Sequence, residues 1–296
     1  MQTISETLRT ALDAGNPQRC LLVFEDDSGN ETEEFTNEDI VVTDGIKLTA
    51  LYNSERELTI GLCPSAQIRF TMLNDQRQLS QFEFGTFRAY LGARIDTGTP
   101  LLGAVTRTYT EDRAARLYEF SPLGVFITER PDIVDKNVIE VSANDRMTLF
   151  DRELTTQERT ALAAATTLSA FAVTLCQAFG VELVSTNFLN NDLAVSVSAA
   201  TMNGRTGRDV LRWVAEAAGS VALFNRDGEL EIRWFNPTEM EVDEHGYSEL
   251  ATSWYQTQTV DSLKVRNRGE TAETTKTVTP NVANNPYVIS GNPFLR

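Results

Sequence analysis

Apolar positions repeat with period two through the first half of this chain and with helical spacing in the second, changing near residue 155. Ile46, Leu48, Ala50 and Tyr52 alternate with Lys47, Thr49 and Asn53. Leu58, Ile60 and Leu62 alternate with Glu57, Thr59 and Gly61, and Ile68, Phe70 and Met72 continue the series. Each stretch predicts a half-buried strand with one core face. FEFGTFRAYLGARI is rich in β-formers, with Gly85 and Gly92 where bulges or tight bends are expected. Further strands are expected over 105–109, 116–120, 125–129 and 138–143, the last leaving through NDRMTLF. Many short strands with polar turns and no helix between them suggest a small barrel or sandwich. Ahead of them, Ile4, Leu8 and Leu12 mark a short amphipathic helix over 2–14, ended by GNP. An apolar strand at 20–24, the turn EDDSGN and the acidic segment ETEEF follow.

The second half is organised around TGRDVLRWVAEAAGSVALFNRDGELEIRWF, residues 206–235. Thr206 and Asp209 have capping-box spacing, and Val210, Leu211, Val214 and Ala218 form one apolar stripe. Gly219 is placed to close the helix in the left-handed conformation. SVALF, the polar reversal NRDG and ELEIRWF then predict a hairpin in which Gly228 takes positive φ. Trp213 and Trp234 are the expected core anchors. An earlier unit has the same form: Thr155 with Glu158 caps TQERTALAAA, Leu168, Phe171, Ala172, Leu175 and Phe179 form a stripe, Gly180 stops it, and VELVS reads as a strand. The expected fold class is therefore α+β, one or more small β-barrel domains with an inserted or following α/β domain of two helix–Gly–strand units. The expected divisions are 1–17 (helical arm), 18–152 (barrel-like domain), 153–245 (α/β domain) and 246–296. In the last, TSWYQTQTVDSLKVRNR resumes a strand pattern that returns the chain to the β domain. The tail then ends at NPFLR without an obvious finish, as in a polypeptide that continues or was cut.

Composition narrows the function classes. A hydrophobic fraction of 41% belongs to a folded protein, and 26 basic against 42 acidic residues give a net charge of −16. That charge repels phosphate backbones and puts sequence-specific nucleic-acid binding at a disadvantage. No apolar run approaches a bilayer span, and MQTISETLRT lacks the pattern of a signal peptide. Cys20, Cys63 and Cys176 are odd in number and far apart, which suits small buried hydrophobes in a reducing compartment better than disulfides or a metal site.

Candidate chemistry is sparse. His245, the single histidine, lies in an acidic connector with no second imidazole near it, so neither a triad nor a metal set is expected. GxSxG, HExxH, GxxxxGK[ST] and GxGxxG do not occur. NGRTG at 203–207 lacks the lysine of a phosphate loop. The acidic cluster Glu25, Asp26, Asp27, Glu31, Glu33 and Glu34 matches no calcium loop and reads as a solvated turn. A close carboxylate pair for glycoside hydrolysis is not singled out among the acids. Phe82, Phe84, Phe87, Tyr90, Trp254 and Tyr255 suit a core or a subunit contact better than a sugar platform. No catalytic, cofactor or metal residues are expected; the nominated residues are structural: Gly180, Gly219, Gly228, Trp213 and Trp234.

Four pieces of the chain carry a resemblance: DGIKLTALYNSERELTIGLCPSAQIRFTML (44–73), VIEVSANDRMTLFDREL (138–154), TGRDVLRWVAEAAGSVALFNRDGELEIRW (206–234), and VDSLKVRN with the later NPYVISGNPFL. In order and content the chain resembles the baseplate hub, or tail-hub, proteins of tailed bacteriophages and related contractile particles. That family centres on the phage T4 hub and the prophage tail proteins of Gram-positive hosts. The resemblance implies a non-enzymatic structural protein of the virion, assembled in the host cytoplasm into a homotrimer around the tail axis. It also implies distal tail or tube proteins, the tape measure and spike or fibre proteins as partners, and a ring through which DNA passes. The acidic charge then has two uses, meeting basic partners or lining the passage so that DNA does not stick. Many relatives continue into lytic or adhesive domains, whereas this sequence stops at Arg296. A distal-tail or adaptor ring protein, a cell-wall glycan hydrolase and a carbohydrate-binding adhesin remain the alternatives.

Overall fold

The computed structural model describes residues 5–26, 28–41, 45–50, 60–73, 85–95, 107–110, 117–129, 131–135, 138–234, 262–266, 273–277 and 286–295. The chain divides into two units. The first comprises Met1–Tyr52, Pro64–Thr148 and Phe224–Glu229; the second comprises Asn53–Cys63, Leu149–Leu223 and Leu230–Arg296.

The first unit begins with α1 (Glu6–Asp13), whose N-cap Ser5 accepts a hydrogen bond from the Leu8 amide at 3.0 Å. Leu8 and Ala11 of α1 pack against Ala93 and Ile95. The strands are β1 (Gln18–Glu25), β2 (Glu31–Thr36), β3 (Lys47–Ala50), β4 (Ala66–Leu73), β5 (Thr86–Ile95), β6 (Arg107–Thr110), β7 (Leu117–Thr128), β8 (Asp132–Asp135) and β9 (Val138–Asp145). They form one nine-stranded antiparallel sheet in the order β2-β1-β5-β7-β9-β4-β3, with β6 also on β7 and β8 also on β9. The expected closed barrel is absent among the described strands, because β2 and β3 end the sheet and do not pair with each other. One of those edges exposes Glu31, Glu33 and Glu34, and charge on an edge strand opposes further pairing.

The alternating pattern builds the core as expected at β4 and β9. Ile68, Phe70 and Met72 meet Ile139, Val141 and Ala143 in one cluster with Leu22, Phe24, Phe87, Ala89 and Phe126. The run Leu21–Val23–Phe24 does not alternate because β1 is covered on both faces. Leu22 and Phe24 enter that cluster, while Leu21 and Val23 pack with Tyr118 and Phe120 on the other side. Phe87 sits at the centre of the aromatic packing. It stacks on Phe24 at 4.9 Å and on Phe126 at 5.8 Å, and meets Phe70 edge-on at 5.7 Å.

Several local expectations are corrected. Segments 116–120 and 125–129 are not two strands but parts of one, β7, which carries its irregularity opposite Ala89 and Tyr90. Gly92 is not at a bulge: it pairs in register with Phe120, and a Cβ there would lie 2.6 Å from the Phe120 ring, so the glycine admits the aromatic. Leu48 is 42% exposed because β3 is an edge strand. Ile60 and Gly61 form a turn instead of the expected strand, with Gly61 at φ +85°; residues 51–59 lie outside the described segments.

In the second unit, α2 (Thr156–Ala163), α3 (Leu168–Ala178) and α4 (Gly207–Ala217) follow a 3-10 helix, Arg146–Asp151, in which the chain passes between the units. Both expected capping boxes form, Thr155 with Glu158 and Thr206 with Asp209. Thr167 caps α3 separately and divides the long helical segment in two. Phe171, Leu175, Val210, Leu211 and Val214 are buried. Hairpin strands β10 (Val221–Phe224) and β11 (Leu230–Arg233) follow. VELVS is not a strand: the segment makes only an isolated parallel bridge, Leu183 to Leu230, so the two helical units are not equivalent. Among the described residues the chain does not return to the first sheet: β12 (Ser262–Arg266), β13 (Glu273–Thr277) and β14 (Pro286–Ser290) pair among themselves. The last residues close on the helices. Phe294 is buried edge-on to Phe171, and the Asn292 amide donates to the Trp213 carbonyl and to Glu216 Oε2, both at 2.9 Å.

Candidate functional site

The five nominated residues occupy separate local positions. Gly180 and Gly219 each follow a helix C-cap, Phe179 and Ala218, at φ +63° and +58°. Gly228 closes the 225–228 turn at φ +82°, where Asn225 Oδ1 accepts from the amides of Asp227 and Glu229. Trp213 is 7% exposed on α4, and Arg205 lies over its ring at 5.8 Å. Trp234 is 43% exposed, one residue beyond β11, so it is not the expected core anchor. The alternation LEIRW had placed it with Leu230 and Ile232, but the described ladder stops at Arg233.

A charged cluster in the first unit was not signalled by the sequence. Arg88 on β5 is opposite Val125 of β7, and its Nε donates to Glu25 Oε1 at 2.6 Å. The 228 turn lies over the same place. A Cβ on Gly228 would fall 2.6 Å from Val125 Cγ2 and 3.5 Å from Arg146 Cδ, and Arg146 Nη1 donates to the Gly228 carbonyl at 3.1 Å. Burial first, then repulsion from Arg88, hold the Arg146 guanidinium below its ordinary pKa, with Glu25 offsetting part of the effect. It stays charged nonetheless, as arginine does throughout the working range. Nearby, the buried Asp145 carboxylate accepts from Ser65 Oγ at 2.7 Å, Ala66 N at 2.8 Å and Met147 N at 3.1 Å. Those bonds staple β4, β9 and the 3-10 helix together, which is a structural use of a carboxylate.

The second unit has a comparable knot. Arg152 donates two hydrogen bonds to Glu158, at 3.0 and 2.6 Å, and one to the Ala178 carbonyl at 2.9 Å, with its guanidinium 4.1 Å above the Phe179 ring. It joins the starts and ends of three helical segments. The Arg152 hydrogen bonds hold the Glu158 carboxyl down to about 2 despite some cost of burial. A carboxyl held low when folded contributes stability above its unfolded pKa, near 4.3, and that contribution disappears as pH falls toward 2. The pair reaches solvent, so its contribution is about 0.5–1 kcal/mol. Denaturant titrations at pH 7 and pH 2.5 should show Glu158→Gln less stable than the natural protein at pH 7, with the gap narrowing at pH 2.5. A gap independent of pH would show that the ion pair is not its source.

An apolar cavity of about 380 Å³ lies in the first unit, lined by Cys20, Ile40, Ile46, Leu48, Leu91 and Leu123 among others. Cys20 Sγ donates to Asn37 Oδ1 at 2.7 Å, and burial pushes its thiol up to about 11. Burial likewise raises Cys63 and Cys176 to about 12. All three are thiols at neutral pH, the form without nucleophilic reactivity. Among the described residues no three His, Cys, Asp or Glu side chains come together as a metal set. His245, Phe82, Phe84, Trp254 and Tyr255 lie outside the described residues, and Phe87 is fully buried in the core.

No protein-family model matches the chain, and no curated protein matches it in sequence. Solved structures do resemble it. The 43 kDa tail protein of prophage MuSo2 from Shewanella oneidensis is 12% identical over 93% of this chain and 72% of that one, with a TM-score of 0.48. A tail protein from Neisseria meningitidis MC58 is 11% identical over 92% and 71%, also with a TM-score of 0.48. Prophage tail protein gp18 from Listeria monocytogenes EGD-e is 10% identical over 93% and 73%, with a TM-score of 0.44.

Proposed function

We propose that this chain is a non-enzymatic structural protein of a phage tail, specifically a baseplate hub subunit. Three copies form a ring around the tail axis and join the tube to the spike or fibre apparatus. The observation that most supports this reading is where the four resembling segments fall. Residues 44–73 supply β3 and β4, and 138–154 supply β9 and the 3-10 helix. Residues 206–234 supply α4 and the β10–β11 hairpin, while the last pieces supply β12, β14 and the Phe294 anchor. The resemblance is thus carried by framework elements; of the small β-barrel and α/β domains that the family implies, the described residues form an antiparallel sheet and a helical unit, without a closed barrel.

A closed threefold ring repeats one heterologous contact three times and leaves no open end. Light scattering over a range of concentrations tests it. A mass of three 32.9 kDa chains is expected. Six copies would replace the hub with a distal ring, and a monomer at every concentration would remove self-assembly from the proposal.

A further inference from the structure

We propose that residues 291–295 form a clasp that closes on α3 and α4 through Asn292 and Phe294, and that loosens when the Glu216 carboxyl ionises. Asn292 is 1% exposed, and both hydrogens of its amide are used at 2.9 Å, on the Trp213 carbonyl and on Glu216 Oε2. Its Oδ1 accepts from the Phe294 amide, also at 2.9 Å, which turns the Phe294 ring inward onto Phe171 of α3. Gly291 leads into this turn at φ +79° with nothing within 4 Å of an added Cβ, so the bend itself leans on no neighbour. Closing has its cost at Glu216. A Cβ on Gly61 would overlap Glu216 Cγ and lie 3.2 Å from Oε1, and the Gly61 amide is tied to the Ser220 carbonyl at 2.8 Å, just past the end of α4. One carboxyl oxygen is therefore covered by the 61–62 segment and the other by Asn292. A carboxylate covered from two sides gives up hydration that one amide only partly replaces. Burial accordingly raises the Glu216 carboxyl above its ordinary pKa, with the Asn292 hydrogen bond and then Arg212, one turn back on α4, opposing. The other titratable neighbour among the described residues, Cys63, is a thiol pushed up to about 12 and stays neutral. A carboxyl whose folded pKa lies above its unfolded value stabilises the closed form at acid pH, and that contribution is lost as pH rises through the folded pKa. Protonation removes the charge yet leaves an oxygen to accept from Asn292, so acid tightens the clasp without breaking it. The inference concerns the second unit alone and is independent of how many copies assemble.

Hydrogen exchange of the full chain at pH 5 and pH 8, corrected for the intrinsic pH dependence of exchange, tests it through the Phe294 amide. The Leu168 amide, bonded to the Leu193 carbonyl at 2.9 Å in the same unit, is the internal reference. Protection at Phe294 should fall several-fold from pH 5 to pH 8 while Leu168 holds steady. Glu216→Gln keeps an oxygen for Asn292 and cannot ionise, so it should hold the higher protection at both pH values. Phe294→Ala, read at the same amide, should lose protection at both. Equal protection of the natural protein at the two pH values, a pH dependence that survives in Glu216→Gln, full protection in Phe294→Ala, or a parallel loss at Leu168 would each overturn the proposal.

Discussion

Replacing Phe87 with Ala is expected to remove about 4 kcal/mol of stability, the usual cost of emptying a buried phenylalanine site. The ring is fully buried and contacts three others, Phe24, Phe70 and Phe126, from β1, β4 and β7. None of those neighbours can fill the void without leaving its own partners, so the site has little freedom to collapse. Urea unfolding followed by near-UV circular dichroism would measure it. A loss under about 1 kcal/mol would mean that the void refills and that the stack is not the centre of the core.

Gly228→Val should cost about 3 kcal/mol, from two sources that a control can separate. The backbone is at φ +82°, where a β-branched residue is strained, and the added Cβ falls 2.6 Å from Val125 Cγ2. Gly180→Ala is the control. Its φ is +63° with nothing within 4 Å of the added carbon, so it should lose only the conformational part, about 1 kcal/mol. Equal losses at both positions would remove the Val125 contact from the account. Unchanged stability at Gly228 would remove its assigned conformation as well.

Local chemistry was the legible part of the fold. Capping spacings at Thr155 and Thr206, the stripe through Val210 and Val214, and the alternation of Ile68, Phe70 and Met72 each involve residues a few positions apart. Interactions of that range are properties of the segment and survive in almost any context. The errors came where one residue's surroundings are supplied by distant chain. LEIRW continues its alternation into Trp234, yet nothing in that pattern says where the ladder ends. VELVS has strand composition but acquires a single bridge, since pairing needs a neighbour that composition cannot provide. Gly92 looked like a bulge and is instead a seat for Phe120, which is 28 positions away.

The charged cluster around Arg88 and Arg146 was less legible still. Arg88, Arg146 and Gly228 carry no motif and are separated by 58 and 82 residues; the fold brings Arg146 to the Gly228 carbonyl and near Arg88. By itself the sequence determined the acidic balance, the β-rich first half, the capped helices and the glycine that turns the hairpin. All of these follow from side-chain chemistry and short-range sterics. Tertiary structure alone decided which strands became edges, that β12–β14 pair among themselves, and that Arg146 meets the Gly228 carbonyl. Those outcomes depend on burial and on contacts across long loops. The free energy of each was set by neighbours that no local pattern names.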